Sequence, residues 1–252
     1  MLDISGLTVR FGGIRALDGV GFTVRAHHMV GLIGPNGAGK TTLFNCLTRR
    51  YQADEGTVGF EGVDLLSVAP HSIAALGIAR TFQNLGLFAE MSVRDNVLVG
   101  AHKRAGATFL SAGLRLPSVR REESKLRAEA DALLRRLDLA DVAEYPATGL
   151  PFGTLKRIEL ARALAVKPRL LLLDEPCNGL SHGEVDEFAA LLRDLREEYD
   201  LTVIVVEHHM GFVMGTCDRV VCLEFGRKIA DGTPDEVQND PAVRDAYLGL
   251  SA

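Results

Sequence analysis

One stretch of eight residues constrains this chain more than any other. Gly34-Pro35-Asn36-Gly37-Ala38-Gly39-Lys40-Thr41 fits G-x-x-x-x-G-K-[ST] at every fixed position. A short apolar run, Met29 to Ile33, precedes it, and a stretch patterned as a helix from Lys40 to about Arg49 follows. Strand, glycine turn and helix in that order commit the chain to an α/β core. Glycines let successive backbone N–H groups curl inward toward phosphate oxygens. The helix adds the positive end of its dipole. The Lys40 ammonium has the length to reach β- and γ-phosphates. Thr41 offers a hydroxyl to Mg2+, an ion that takes such an oxygen alongside water and phosphate. Thr42 follows in the same turn and completes the nucleotide-contact set that begins at Gly34.

A magnesium site of this kind needs a carboxylate from the end of a second strand. Leu170-Leu171-Leu172-Leu173-Asp174-Glu175 supplies four apolar residues and then two acids. Asp174 is placed to hold the metal, directly or through water. Glu175 is placed to orient or deprotonate an attacking water.

The remaining pattern agrees with an α/β fold. With 252 residues, 47% hydrophobic and 24% charged, the chain has the size and apolar content for one large domain carrying a sub-domain. A formal charge of −5 argues against a nucleic-acid partner. Its apolar runs are far shorter than the ~20 residues a bilayer span requires, and the start Met1-Leu2-Asp3 reads as no signal peptide. Cys46, Cys177, Cys217 and Cys222 lack zinc-ligand spacing and read as reduced, buried thiols of a cytosolic protein. Alternating stretches at Leu2 to Val9 and Val20 to Val24 predict strands. Charge-rich helical periodicity covers Val119 to Leu137, after a stretch rich in small residues from Ala105 to Pro117. Strand and helix signals then resume: Arg169 to Leu173, Gly183 to Glu198, Leu201 to Val206, and a hairpin turning at Glu224-Phe225-Gly226-Arg227. Short helices close the chain around Pro234 to Val237 and Pro241 to Tyr247. The expected organisation is a first core segment over residues 1–83, a helical sub-domain over 84–165 and a second core segment with a tail over 166–252.

These motifs resemble the ATP-binding cassette (ABC) ATPases, and the similarity runs along essentially the whole chain. Arg80-Thr81-Phe82-Gln83 is similar to the Q-loop that joins core to helical sub-domain. Leu150-Pro151-Phe152-Gly153-Thr154 and the stretch to Leu164 resemble the signature loop and its helix. Asn178-Gly179-Leu180-Ser181 sits where the D-loop belongs, and Val206-Glu207-His208 ends a strand as the switch histidine does. Closer still is the resemblance to the LivG-type ATPases of branched-chain amino acid importers. It rests on Arg10-Phe11-Gly12-Gly13, on Arg80 to Asn84 with Leu87-Phe88, on Asn96 to His102, and on the tail from Gly232-Thr233-Pro234 to Tyr247-Leu248-Gly249.

The resemblance implies a P-loop NTPase core with N-terminal antiparallel strands and an inserted helical sub-domain. It implies ATP and Mg2+ as ligands. Phe11 would stack on adenine, for which a π face suffices. Gln83 would offer its side-chain oxygen to Mg2+ or to the attacking water. His208, favoured over His209 by its position at the strand end, would donate to the γ-phosphate. Gly153 and Thr154 would contact nucleotide held by a second cassette. The implied partners are that second ATPase, integral-membrane permease subunits contacted near Gln83 to Met91 and, indirectly, a solute-binding protein. The chain would lie peripherally on the cytoplasmic side of the membrane.

Departures from the family pattern are local. Where the usual signature reads Leu-Ser-Gly-Gly-Gln, this chain has Pro151, Phe152 and Thr154 around Leu150 and Gly153. Pro151 has neither hydroxyl nor N–H to donate, so a hydrogen bond to phosphate typically worth ~1.5–3 kcal/mol is missing. What remains is the N-terminus of the following helix. Two unequal sites in a heterodimer follow as an expectation, with Ser181 at the D-loop able to bond across the interface. The alternatives are a regulatory or assembly cassette with little hydrolysis, an importer ATPase for urea or another small solute, and a soluble ABC protein of translation or repair.

Overall fold

The computed structural model describes residues 1–82, 84–102 and 117–248. They form two compact units, one made of Met1–Ile73 and the chain from Arg169 onward, the other of Ala74–Pro168. In chain order the first unit contributes β1 (Leu2–Phe11), β2 (Ile14–Val24), β3 (Met29–Ile33), α1 (Lys40–Leu47), β4 (Glu55–Phe60) and β5 (Val63–Asp64). The second contributes β6 (Ile78–Arg80), α2 (Val93–Ala101), α3 (Pro117–Arg136) and α4 (Phe152–Leu164). The chain then returns to the first unit with β7 (Leu170–Asp174), α5 (His182–Glu198), β8 (Thr202–Val206), α6 (Met210–Thr216), β9 (Arg219–Glu224), β10 (Arg227–Gly232), α7 (Pro234–Asn239) and α8 (Pro241–Leu248).

Two sheets build the first unit. An antiparallel one runs β2-β1-β4-β5, with β1 and β2 joined across Gly12-Gly13. In the other, the strands of this unit lie in the order β10-β9-β3-β8-β7. Here β3 is parallel to both β8 and β9, β7 is parallel to β8, and β10 folds back antiparallel on β9. Every residue of β3, β7 and β8 is buried. Strands covered on both faces have no solvent side to alternate with, hence the unbroken apolar runs in the sequence. The β9–β10 turn places Phe225 and Gly226 at φ 45° and 78°, the left-handed pair that matches the twist of a two-residue hairpin. Helix α5 buries Val185, Phe188, Ala189, Leu192 and Leu195, one face at helical period. All four cysteines are free and buried.

Register fixes what the sheet presents. Leu32 near the end of β3 pairs with Val206, and Asp174 at the end of β7 pairs with the same residue. The segments leaving β3, β7 and β8 therefore emerge together at the carboxyl ends of parallel strands, where open α/β sheets place their ligands.

In the second unit α2 packs on α3 and α4. Arg94 of α2 pairs with Asp131 of α3 at 2.7 Å and also with Glu144. The Asn96 side chain, fully buried, binds both the N–H and the C=O of Phe88, at 2.9 and 3.0 Å, and so folds the segment before α2 onto that helix. Helix α3 begins two residues earlier than the periodicity suggests, and the small-residue stretch over 105–116 lies outside the described residues. No helix among the described residues is long and apolar enough to cross a membrane.

Candidate functional site

The turn after β3 is held in shape by close approaches that admit no side chain. Gly34 lies at φ 143°, and a Cβ there would meet the Leu223 carbonyl oxygen at 2.1 Å. Gly39 lies at φ 104°, where a Cβ would meet the Ala16 carbonyl oxygen at 2.6 Å. The hairpin tip clasps the turn from outside: Gly226 donates its N–H to Ala38 O at 3.1 Å and accepts from Asp18 N at 2.8 Å. Inside the curl, the Lys40 ammonium donates to Gly34 O at 2.7 Å and Pro35 O at 2.9 Å. Burial lowers its pKa from the usual lysine value, opposed by the charge of Glu175 and more weakly by that of Asp174. Asn36, Gly37 and Thr41 are exposed, Pro35 and Thr42 half-buried, and Ala38 buried. Helix α1 is preceded by Gly39, with no side-chain cap and no acid in its first turn. Its leading N–H groups are therefore donors for an anion.

Across β8 stands the pair of acids. Asp174 closes β7 and is 4% exposed. Glu175 follows at φ 50°, in the left-handed region, its N–H bound to Val206 O at 2.9 Å. Non-glycine residues in that region carry strain of ~1–3 kcal/mol and cluster at functional sites. The Glu175 carboxylate lies 3.1 Å from His208 Nε2. His209 is engaged elsewhere, its Nδ1 accepting from Phe212 N at 3.2 Å and capping α6. Of the two histidines, only His208 therefore turns a ring nitrogen toward the acids.

Among the described residues no group of three His, Cys, Asp or Glu side chains gathers to hold a metal by itself. Thr41 offers a hydroxyl and Asp174 a carboxylate. One hydroxyl and one carboxylate suit Mg2+, which keeps most of its positions for water and phosphate.

Phe11, at the end of β1, is 47% exposed. It meets Tyr51 edge-on, with ring centroids 5.1 Å apart. An open face braced from one edge is what stacking on a base requires. Phe11 stands out in the sequence, whereas Tyr51 does not, because its contact arises only from folding.

Two further participants escape a reading of the sequence. The Tyr247 hydroxyl, on α8, accepts from Gly34 N at 2.9 Å and so ties the tail to the first amide of the turn. The buried Glu207 carboxylate accepts backbone N–H bonds from Cys177, His208 and His209. The Ser181 hydroxyl and N–H both donate to Glu184, at 2.7 and 2.8 Å, and start α5.

In the second unit, Pro151 is the residue before α4, and no side chain caps that helix. Gly153 and Thr154 stand half-buried in its first turn, with no acid to oppose an anion there. Phe152 is 41% exposed, and the Lys156 ammonium lies 5.5 Å from its ring centre. Farther along α4, Glu159 accepts from Phe82 N at 2.5 Å, and Arg162 donates to Leu85 O and Gly86 O at 2.8 and 2.5 Å. Helix α4 therefore holds the chain on both sides of position 83; Gln83 itself lies outside the described residues.

Comparison with known proteins bears on the whole chain. A family model described as ABC transporter matches residues 17–178, and one described as branched-chain amino acid ATP-binding cassette transporter matches residues 227–250. The chain is 42% identical over 249 residues to the high-affinity branched-chain amino acid transport ATP-binding protein BraF of Pseudomonas aeruginosa, covering 99% of this chain and 98% of that protein. It is 40% identical over 249 residues to LivG of Escherichia coli, another protein of that description, with the same coverage. Among solved structures, the ADP conformation of MJ1267, an ATP-binding cassette of an ABC transporter, superposes with a TM-score of 0.84 at 31% identity, covering 99% of this chain and 98% of that one.

Proposed function

From the ABC transporter family, to which this chain belongs and in which it is an ATPase, we propose that it powers an importer of branched-chain amino acids. The observation that carries the solute class is the near-full-length identity to two cassettes so described, extended by the tail match over residues 227–250.

The site supports the following division of labour. The turn from Gly34 to Thr42, with the open N–H groups at the N-terminus of α1, holds the phosphates, with the Lys40 ammonium between β and γ. Phe11 stacks on adenine. Thr41 and Asp174 would hold Mg2+, which would supply charge neutralisation to the phosphates. Glu175 orients a water in line with the γ-phosphorus and takes its proton as the new P–O bond forms. The bond from the γ-phosphorus to the bridging oxygen breaks, leaving ADP and phosphate. His208, 3.1 Å from Glu175, donates to a γ-oxygen and senses whether that phosphate is attached. Most of the rate enhancement is positioning and preorganised charge.

A second cassette completes the assembly. Gly153, Thr154 and the open start of α4 serve the partner's nucleotide, and with Pro151 there the two sites are unequal. Residues 84–165 act as the sub-domain that contacts membrane permease subunits, with a solute-binding protein upstream and this chain peripheral on the cytoplasmic face.

The test is transport. Deleting the chain, or replacing it with Lys40→Ala, abolishes uptake of radiolabelled leucine, isoleucine and valine by the source cells. Glu175→Gln keeps ATP binding and slows hydrolysis by ~10²-fold or more. Undiminished uptake in the deletion strain refutes the solute, and near-normal turnover in Glu175→Gln refutes the assigned carboxylate.

A further inference from the structure

Glu207 is a carboxylate where an apolar residue would cost less. It directly follows β8 and is 3% exposed, and a buried carboxylate needs its oxygens satisfied. Here one oxygen accepts from Cys177 N at 2.6 Å, and the other from His208 N at 2.8 Å and His209 N at 3.0 Å. Bonds from N–H groups to an ionised acceptor are short and stronger than neutral ones.

The three amides lie on two separate segments. Cys177 is two residues past Glu175, on the stretch leaving β7, and His208 and His209 begin the stretch leaving β8. A neighbouring bond, Glu175 N to Val206 O at 2.9 Å, joins the same two stretches one step earlier. The side chains that meet across the gap are Glu175 and His208, 3.1 Å apart. His208 stands on backbone that Glu207 binds directly, and Glu175 stands two residues before the Cys177 amide that Glu207 binds, while both Glu207 oxygens are turned to main-chain donors.

We propose that Glu207 is a positioning residue for ATP hydrolysis: its carboxylate clamps the turns at Cys177 and at His208-His209, and so sets the Glu175–His208 geometry. The proposal rests on the roles given above to those two residues. Only a carboxylate meets the requirement, because it accepts on both oxygens, whereas an amide offers one acceptor and one donor. In Glu207→Gln at least one of the two segments therefore faces a donor with its own N–H. Glu207→Asp keeps both acceptors on a side chain one methylene shorter.

The experiment uses the 252-residue chain with MgATP, measuring kcat, KM, affinity for a fluorescent ATP analogue and melting temperature. Sub-ångström to ångström displacement of reacting groups costs up to about 100-fold in rate. Glu207→Gln is accordingly expected to lose about 10- to 100-fold in kcat, with KM and analogue affinity close to those of the unaltered chain, and Glu207→Asp to recover part of the loss. Unchanged kcat in folded Glu207→Gln overturns the proposal. So does a loss that tracks melting temperature and affinity together, which is the signature of general destabilisation. If Glu207→Gln does not fold, Glu207→Asp is compared in the unaltered and His208→Ala backgrounds. A smaller effect in the second supports the clamp, and fully additive effects refute it. Glu175→Gln serves as the control: wild-type turnover there refutes the reading of the site, whereas its loss alongside normal turnover in Glu207→Gln refutes the clamp alone.

Discussion

Replacing Tyr247 by Phe removes one oxygen and leaves the ring in place, so the change isolates the bond between α8 and the phosphate-binding turn. That oxygen accepts from Gly34 N at 2.9 Å. Gly34 is buried and Tyr247 half-buried. A buried N–H stripped of its acceptor costs ~1–3 kcal/mol, and one that water can reach costs nearer the ~1 kcal/mol of an ordinary hydrogen bond. The half-buried phenol puts this case at the lower end. For a chain of this size ~1 kcal/mol corresponds to roughly 2–4 °C in melting temperature, and in a binding equilibrium to about fivefold. Calorimetry should therefore show Tyr247→Phe melting a few degrees low without nucleotide, and titration should show ATP affinity reduced by up to about fivefold. Burial pushes the Tyr247 phenol up to about 12, so it stays neutral at ordinary pH and the gap between the two proteins is flat there. Above the ~10 of an unfolded phenol the native protein loses stability as pH rises through about 12. The Phe variant escapes that loss, and the gap narrows. Equal melting temperatures and equal ATP affinities for the two proteins would refute the argument.

Two other consequences are open to measurement. Phe11→Ala removes a stacking partner worth ~1–3 kcal/mol per base; the KM for ATP should rise at least about fivefold with kcat little changed, Phe11→Tyr should restore it, and an unmoved KM would show that adenine lies elsewhere. Burial raises the thiol pKa of Cys46 to about 11 and those of Cys217 and Cys222 to about 12. Since the thiolate is the nucleophile, these three should resist iodoacetamide at mildly alkaline pH and react in denaturant, as peptide mass mapping would record; rapid native labelling would contradict their burial.

What the sequence discloses is what lies close together along it. The turn from Gly34 to Thr41 and the acids after Leu173 are legible because spacing within a few residues dictates their chemistry, and β3 matches its apolar run at both ends. The hairpin at Phe225-Gly226 is legible for the same reason. β4 is not, since Glu55–Phe60 carries two glycines in six residues and only two fully buried positions, too weak an alternation to read. Glu207 and Tyr247 are opaque for another cause. Glu207 bonds to Cys177 across 30 positions and Tyr247 to Gly34 across 213, and no local pattern records such a meeting. Ser181 shows the converse: its hydroxyl bonds to Glu184 only three residues on.

The pairing of Leu32 and Asp174 with the same Val206 means that β8 is the common reference from which both halves of the site are measured. A parallel strand displaced by one residue turns every side chain to the opposite face, so a slip here would misplace the turn and the acids at once rather than either alone. Substitutions deep in β8, at Ile204 for instance, therefore bear on chemistry several residues away, whereas a change at the exposed Tyr199 ahead of the strand leaves the alignment intact.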